Sequence, residues 1–219
     1  MQQIIRHLTD NDAYTFSCQY YVLQTYPRAE VEYTFFDRNG TVYPKGFAEL
    51  LNEQLSYMPQ VTITEEEIAF MQRKMYYLPK WYFIFLRGYR FNPHEVTVSQ
   101  TPEGHLNISV RGKWYSAIMW EMPILSIVSE LMHILRGDTK GYNPQKEMER
   151  AADKTRKILT NGLILGDMGT RRRFSFDHQD GIIRTMKEVY QQGGYEDADG
   201  FHPWTGKFTG TSNVYFAMK

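Results

Sequence analysis

The 219-residue sequence predicts an α/β fold: an amino-terminal α/β (α+β) domain over residues 1–136, followed by the start of an α/β layer or barrel over residues 137–219. Three observations support this prediction. The first part mixes helical periodicity with short alternating strands. A polar stretch with two glycines follows at residues 136–142. Residues 163–219 then repeat the order strand, polar loop, helix, which is typical of α/β layers and barrels.

The first predicted elements are a helix and a strand. Residues 10–25 can form a helix whose first turn is acidic, with Asp10 or Asn11 as its N-cap. Residues 29–37 alternate apolar and polar side chains, which predicts a half-buried strand. The side chains expected to face inward are Val31, Tyr33 and Phe35.

Three helices are predicted next. Pro44 is well placed for the first turn of a helix over residues 44–57. Thr64 and Glu67 fit a capping box, so a second helix is expected to start there and to end near residue 76. Residues 79–88 predict a third, short helix with an aromatic face.

A strand pair and a buried helix complete the first part. Residues 95–99 and 105–110 predict two strands joined by a turn around Pro102 and Gly104, and residues 114–120 are a candidate third strand. Residues 125–136 predict a helix that is apolar on nearly every side, and such a helix is normally buried.

The second part begins with a charged helix over residues 145–159. A short apolar strand at 163–165 leads through a polar loop to a helix over 176–191, and a second short strand near Phe208 leads to a helix from residue 214. A barrel needs eight such units, so the chain either lacks the remainder or uses a smaller sheet.

Composition narrows the classes of function. Lys plus Arg and Asp plus Glu both number 25, and this balance argues against nucleic-acid binding and against a polybasic membrane surface. Cys18 is the only cysteine, which excludes an intrachain disulfide and a site built on several thiolates. The apolar stretch 114–135 is interrupted by charged residues and a proline, so no membrane span and a cytoplasmic location are expected.

An arginine-rich loop is the strongest local signal for a ligand. It runs Met168-Gly169-Thr170-Arg171-Arg172-Arg173, directly after a predicted strand. Adjacent guanidinium groups repel one another unless an anion lies among them, and each presents a planar fork that matches carboxylate or phosphate oxygens. Gly169 would allow a ligand to approach the backbone. A solvated basic loop is the alternative, although ligands of α/β folds bind at this edge of the sheet.

A second candidate loop, Gly210-Thr211-Ser212-Asn213, opens the last predicted helix. Small hydroxyl residues there leave backbone N–H groups free at the positive end of the helix dipole. Plain N-capping by Ser212 or Asn213 is the alternative. Because this loop follows the arginine loop by one βα unit, the two loops are expected to share one face and to form an anion-binding edge.

Other residues give weaker signals. The acidic run at residues 10–14 could bind a metal, but it is equally explained as a helix N-terminus. The aromatic clusters at 76–91 fit a core or a subunit contact better than a base-stacking platform, given the neutral charge. The histidines have no metal-ligand spacing, so no metal ligand is predicted.

Five motifs, taken in chain order, resemble one known family. They are Leu8-Thr9-Asp10-Asn11-Asp12-Ala13-Tyr14, then Arg90-Phe91-Asn92-Pro93 with Val96-Thr97-Val98, then Trp120-Glu121-Met122-Pro123, then Gly169-Thr170-Arg171-Arg172-Arg173-Phe174-Ser175, and last Gly210-Thr211-Ser212-Asn213. Their order and spacing resemble those of bacterial nicotinate phosphoribosyltransferase, a type II phosphoribosyltransferase. The resemblance runs from about Leu8 to the last residue and points to the amino-terminal portion of that family.

This resemblance implies an activity in NAD biosynthesis. Nicotinate and 5-phosphoribosyl 1-diphosphate would give nicotinate mononucleotide and diphosphate, with ATP hydrolysis coupled and Mg²⁺ required. It also implies an α/β amino-terminal domain followed by an irregular phosphoribosyltransferase-type α/β barrel, assembled as a head-to-tail homodimer. Tyr14 would stack on the pyridine ring across the dimer interface, in the neighbouring subunit's site.

The resemblance also implies roles for single residues. The implied substrate-binding residues are Tyr14, Met168, Gly169, Thr170, Arg171 and Ser212, and the implied phosphate-binding residues are Arg172, Arg173 and Thr211. Met168 stands where the family commonly has a phenylalanine on the pyridine ring. The resemblance places Ser212 at a loop position that corresponds to an aspartate in nicotinamide-using relatives. A hydroxyl at this position can donate to the nicotinate carboxylate.

The family's phosphorylated histidine lies in a G-T-x-A-H loop downstream of the Gly210-Thr211-Ser212-Asn213 motif, beyond Lys219. No catalytic residue is therefore predicted within this chain, and the chain alone is expected to lack turnover. A non-catalytic anion-binding or dimerisation module derived from the family is the alternative function. A nicotinamide-using relative is a third interpretation, disfavoured by Ser212.

Overall fold

A computed structural model describes all residues from Met1 to Lys219. The helices are α1 Ala13–Thr25, α2 Phe47–Ser56, α3 Glu65–Lys74, α4 Lys80–Gly88, α5 Trp114–Ala117, α6 Glu121–Arg136, α7 Pro144–Thr160, α8 Phe176–Gln191 and α9 Val214–Met218. The strands are β1 Glu30–Thr34, β2 Val96–Gln100, β3 Leu106–Lys113, β4 Ile164–Asp167, β5 Gly194–Asp197, β6 Gly200–Pro203 and β7 Lys207–Thr211. The predicted mixed α/β class is confirmed, whereas the barrel stays a prediction.

Three antiparallel strands in the order β1–β3–β2 form the sheet of the first part. The central strand β3 places Val110 opposite both Tyr33 of β1 and Val96 of β2. The predicted hairpin of β2 and β3 is therefore confirmed. The strand expected at residues 114–120 is wrong, because α5 and a 3-10 turn occupy this segment and its buried side chains recur with helical spacing.

Strand β1 is less buried than its alternating pattern predicts. Only Val31 is half-buried within the strand, and Tyr33 is 42% exposed. The reason is topological: β1 pairs with β3 alone and forms an edge of the sheet. The hydroxyl of Tyr33 accepts a hydrogen bond from Trp114 Nε1 at 2.8 Å instead of lying in the core.

The helices of the first part enclose one apolar core of 34 buried residues, which also includes Val214 of α9. The predicted capping box of α3 is confirmed, since the Thr64 hydroxyl and the Glu67 carboxylate each accept the other residue's backbone N–H. The helical segment Trp114–Arg136 is long and apolar enough to cross a membrane by composition, but 61% of its apolar 18-residue window is buried inside the protein. Such burial is typical of a core helix.

Helix α1 begins later than predicted, at Ala13, with Asp12 as the N-cap residue and no acidic residue in its first turn. The predicted acidic first turn is therefore wrong. The carboxylates of Asp10 and Asp12 bond instead to Arg173 and Ser212 of the second part. These contacts position the start of α1 against the two candidate loops.

Strands β4 and β7 are parallel and neighbouring, with α8 between them in sequence, which confirms the predicted βα rhythm. Their register places Leu165 opposite Phe208 and Asp167 opposite Thr211. The loops that follow the two strands therefore leave the same edge of the sheet. The hairpin of β5 and β6 was not predicted from the sequence, because its strands contain glycine and acidic residues with little apolar alternation.

Candidate functional site

Asp167 joins the two candidate loops at the carboxyl ends of β4 and β7. Its carboxylate accepts hydrogen bonds from the Thr211 hydroxyl at 2.7 Å and from the Gly169 backbone N–H at 3.1 Å. Its backbone carbonyl accepts from the Ser212 N–H at 2.9 Å. The side chain of Gln179 in α8 donates to the same carboxylate at 2.9 Å. The structure thus brings both loops to one face, as expected.

Arg171 lies between two carboxylates of the first part. Its Nη1 donates to Glu121 Oε1 at 3.1 Å, and its Nη2 lies 3.6 Å from Asp12 Oδ2. The side chain is 29% exposed, so the guanidinium lines the site and is not extended into bulk solvent. Because both partners come from the first part, the arginine loop faces the starts of α1 and α6.

Tyr14 joins this group through Glu121. Its hydroxyl donates to Glu121 Oε2 at 3.0 Å, so one carboxylate links Tyr14 to Arg171 within a single chain. Burial and the negative charge of Glu121 raise the pKa of Tyr14 to about 12, which keeps the phenol neutral near pH 7. The residue is 38% exposed. Its predicted contribution to a neighbouring subunit's site stays a prediction.

Ser212 is connected to the start of α1. Its hydroxyl donates to Asp12 Oδ1 at 2.7 Å, and its backbone carbonyl accepts from the Ala13 N–H at 2.8 Å. An isolated antiparallel bridge joins Asp12 to Asn213. The expectation of a Ser212 hydroxyl free to donate to a ligand needs correction, since its hydrogen is already directed at Asp12.

Arg173 points away from the other two arginines. Its side chain is completely buried, its Nη1 donates to both oxygens of Asp10 at 2.8 Å, and its Nε donates to Glu130. This placement does not fit the phosphate-binding role predicted for Arg173, because a guanidinium enclosed by two carboxylates is not accessible to a phosphate. Residues 170–172 form a 3-10 turn, in which successive side chains point in different directions.

The remaining predicted residues differ in exposure. Met168 is 63% exposed, and Arg172 is exposed with no hydrogen bond or ion pair from its side chain, so both are accessible. Thr170 is fully buried and its hydroxyl has no partner, so it supports the loop from inside. A Cβ atom at Gly169 would lie 3.0 Å from Asp167 Oδ1 and 3.2 Å from Gln179 Nε2, so a larger residue would press on the side chains that hold this loop.

Sequence reasoning missed three carboxylates of the site, those of Asp12, Glu121 and Asp167. Asp12 and Glu121 lie within motifs of the family resemblance, and Asp167 ends the strand before the arginine loop. These positions, inside the motifs and at the end of a strand, were the signals in the sequence that could have identified the three carboxylates. With Arg173 buried elsewhere and Arg171 facing the carboxylates of Asp12 and Glu121, Arg172 is the one arginine of the loop without a paired carboxylate.

The side chains of the candidate site do not provide a set of metal ligands. No group of three or more His, Cys, Asp or Glu side chains that could hold a metal ion occurs in the chain. Asp167 is in addition already bonded to Thr211, Gly169 and Gln179. The residues present do not form a Mg²⁺ site.

The family model described as the nicotinate phosphoribosyltransferase (NAPRTase) N-terminal domain matches residues 9–129. The chain belongs to the nicotinate phosphoribosyltransferase family. The resemblance inferred from the five motifs is thereby confirmed, including its assignment to the amino-terminal portion of the family.

Individual relatives agree with this membership. The nicotinate phosphoribosyltransferase of Desulforapulum autotrophicum is 37% identical over 84% of this chain, and that of Chromohalobacter salexigens is 32% identical over 97% of it. The crystal structure of the Porphyromonas gingivalis nicotinate phosphoribosyltransferase matches 98% of this chain with a TM-score of 0.81 and 34% identity. The chain spans 46%, 50% and 51% of these three proteins, respectively, or about half their length.

Proposed function

We propose that this chain provides the nicotinate-binding part of a nicotinate phosphoribosyltransferase. The reaction forms nicotinate mononucleotide and diphosphate from nicotinate and 5-phosphoribosyl 1-diphosphate with ATP hydrolysis, in NAD biosynthesis. Family membership supports the reaction. One structural observation carries the assignment of the site: Arg171 and Ser212, from two separate loops, converge on the Asp12 carboxylate at the carboxyl edge of β4 and β7.

Three side chains are suited to hold the base. The planar guanidinium of Arg171 matches the carboxylate of nicotinate. Tyr14 would offer an aromatic face for the pyridine ring in the neighbouring subunit's site, and the exposed thioether of Met168 offers a soft apolar surface that also packs against rings. Gly169 and Thr170 hold the loop in shape from the protein side.

The phosphate groups are assigned to the polar edge beside the base. Arg172 is exposed and unpaired, and Thr211 lies at the end of β7, where its hydroxyl donates to Asp167. Substitution at the anomeric carbon develops oxocarbenium character, as in glycoside chemistry. The site must therefore hold an anionic base and anionic phosphates close together, and fixed guanidinium and N–H groups suit that task.

Further properties of the whole enzyme are proposed by extension from the family. The enzyme would be a homodimer in which Tyr14 reaches the neighbouring subunit, and its reaction would require Mg²⁺ and ATP. A boundary between two domains would lie near residue 136, and the protein would be located in the cytoplasm. No residue of this chain is assigned to ATP or to the phosphohistidine chemistry.

Ligand competition on the 219-residue chain tests the proposal. We expect nicotinate to bind, as followed by NMR titration, and to displace nicotinamide, because Arg171 favours a carboxylate over a neutral amide. A preference for nicotinamide, or equal binding of the two, would reject the assignment. In a separate assay with nicotinate, ATP, Mg²⁺ and 5-phosphoribosyl 1-diphosphate, we expect no mononucleotide from this chain alone, and robust formation would contradict that expectation.

A non-catalytic dimerisation module derived from the family is the second candidate, and an exposed apolar surface favours it. The surface comprises Tyr76, Tyr77, Trp81 and Ile84, of which Tyr76 is 84% exposed. Sedimentation equilibrium together with the nicotinate titration separates the two functions. Dimerisation without any nicotinate binding would support the module and not the enzyme part.

A further inference from the structure

Asp12 is a buried carboxylate with one oxygen that lacks a hydrogen bond. The residue is 1% exposed, and its Oδ1 accepts from the Ser212 hydroxyl at 2.7 Å. Its Oδ2 has no hydrogen-bond partner and lies 3.6 Å from Arg171 Nη2. A buried carboxylate oxygen without a hydrogen bond is costly when the group is ionised, because water no longer solvates the charge and the Arg171 charge offsets only part of that cost. Protonation removes that cost.

The charged groups that face Asp12 come from several elements. Burial is the largest influence, and it raises the pKa of Asp12 above its ordinary value, although the Ser212 hydrogen bond and the Arg171 charge act in the opposite direction. Glu121 at the start of α6 and Asp167 at the end of β4 add to the increase. Tyr14 is the remaining titratable neighbour, and it stays neutral.

The protonation state of Asp12 sets the direction of its hydrogen bond with Ser212. An ionised Asp12 can only accept, so the Ser212 hydroxyl donates to it and keeps only lone pairs for a ligand. A protonated Asp12 can donate to Ser212 Oγ, which frees the hydroxyl hydrogen for a ligand. The first arrangement suits the N–H of an amide, and the second suits the oxygen of a carboxylate.

We propose that Asp12 is a specificity-determining residue, which takes up one proton from solvent when nicotinate binds and so turns the Ser212 hydroxyl into a donor toward the substrate carboxylate. This inference rests on the proposed function, since it requires nicotinate to meet Arg171 and Ser212. Charge counting supports it. Arg171 already faces the two carboxylates of Asp12 and Glu121, so a third, from nicotinate, would leave two uncompensated negative charges in a partly buried site. One proton on Asp12 removes one of them.

Calorimetry measures this proton uptake directly. The 219-residue chain is titrated with nicotinate in buffers of different ionisation enthalpy, at a series of pH values between about 6 and 9. We expect uptake of about one proton per nicotinate and none for nicotinamide. By linkage, nicotinate affinity should fall about tenfold per pH unit while nicotinamide affinity stays constant.

Substitution assigns the proton to Asp12. Asp12→Asn has no charge and carries a permanent donor for Ser212 Oγ, so we expect tight nicotinate binding with neither proton uptake nor pH dependence. Asp153→Asn, at an exposed position of α7, is the matched control and should keep both. If Asp12→Asn fails to fold, Ser212→Ala replaces it. The charges around Arg171 are unchanged in this variant, so the proton uptake should persist, whereas the preference for the acid over the amide should be lost with the hydroxyl.

The outcomes separate this inference from the proposed function. Preferential nicotinate binding without proton uptake, with uptake that persists in Asp12→Asn, or with a preference for the acid that survives in Ser212→Ala, would overturn the role of Asp12 and leave the proposed function standing. A lack of preference for nicotinate in the wild-type chain would overturn the proposed function and this inference with it.

Discussion

Asp10 and Arg173 lie 163 positions apart in the chain, yet both carboxylate oxygens of Asp10 accept hydrogen bonds from Arg173 Nη1 at 2.8 Å. The same carboxylate accepts from Asn213 Nδ2 at 2.9 Å, and Arg173 also donates to Glu130 of α6. All four side chains are buried. The segment that precedes α1 therefore contacts both candidate loops, the arginine loop through Arg173 and the second loop through Asn213.

Loss of Arg173 should destabilise the fold strongly. Arg173→Leu leaves the buried carboxylates of Asp10 and Glu130 without their counter-charge, and we expect a loss of about 3–5 kcal/mol in the free energy of unfolding. Arg172→Leu removes an exposed neighbour and should change this free energy by less than about 0.5 kcal/mol. Urea unfolding followed by circular dichroism measures both, and similar values for the two variants would contradict the structural role of Arg173.

Loss of Arg171 should weaken nicotinate binding. Arg171→Ala removes the charged hydrogen-bond partner assigned to the substrate carboxylate. We therefore expect the free energy of nicotinate binding to become less favourable by about 1–3 kcal/mol. Arg156→Ala, at an exposed ion pair on α7, is the control and should bind like the wild type. NMR titration gives the dissociation constants. Unchanged nicotinate affinity in Arg171→Ala would remove this residue from the site.

Acidification should destabilise the protein through His178. Its Nδ1 bonds to the Tyr142 hydroxyl at 2.7 Å, and burial lowers the pKa of the imidazole from its ordinary value. The unfolded chain therefore binds this proton more readily, so the contribution to stability is complete above about pH 6.5 and is lost as the pH falls through the folded-state pKa.

His178→Gln cannot ionise and should flatten that part of the pH profile. Thermal unfolding between about pH 5 and pH 8 measures the slope of stability against pH. His94→Gln, at an exposed histidine, is the control and should keep the wild-type slope. If His178→Gln and the wild type have the same slope, the loss of stability in acid has another origin.

A methyl group should be tolerated at one glycine and not at another. At Gly206 an added Cβ would lie 2.4 Å from the Leu163 carbonyl oxygen and 2.9 Å from the Leu159 Cα, both of which are backbone atoms. Gly206→Ala should therefore cost about 1–3 kcal/mol of stability by forcing α7 and β7 apart. Gly88→Ala, in open space at the end of α4, should be neutral or stabilising by up to about 1 kcal/mol. Equal denaturation midpoints for the two variants would refute this packing argument.

Most helices could be predicted because their signals are local. The helix at 176–191 and the capping box at Thr64 both follow from residues within one or two turns of each other. Predictions failed where one local pattern suits two structures. The apolar run at 114–120 is compatible with a strand and with a buried helix. In the structure it is helical and directly follows β3.

The sequence by itself singled out the two candidate loops, since Arg171 and Ser212 follow short strands and stand in recognisable motifs. Only the tertiary structure decided that Arg173 is an internal ion-pair partner and that Asp12, Glu121 and Asp167 belong to the site. The physical reason is distance along the chain. A guanidinium group is assigned by the carboxylates that surround it, and here those carboxylates come from segments that meet only after folding.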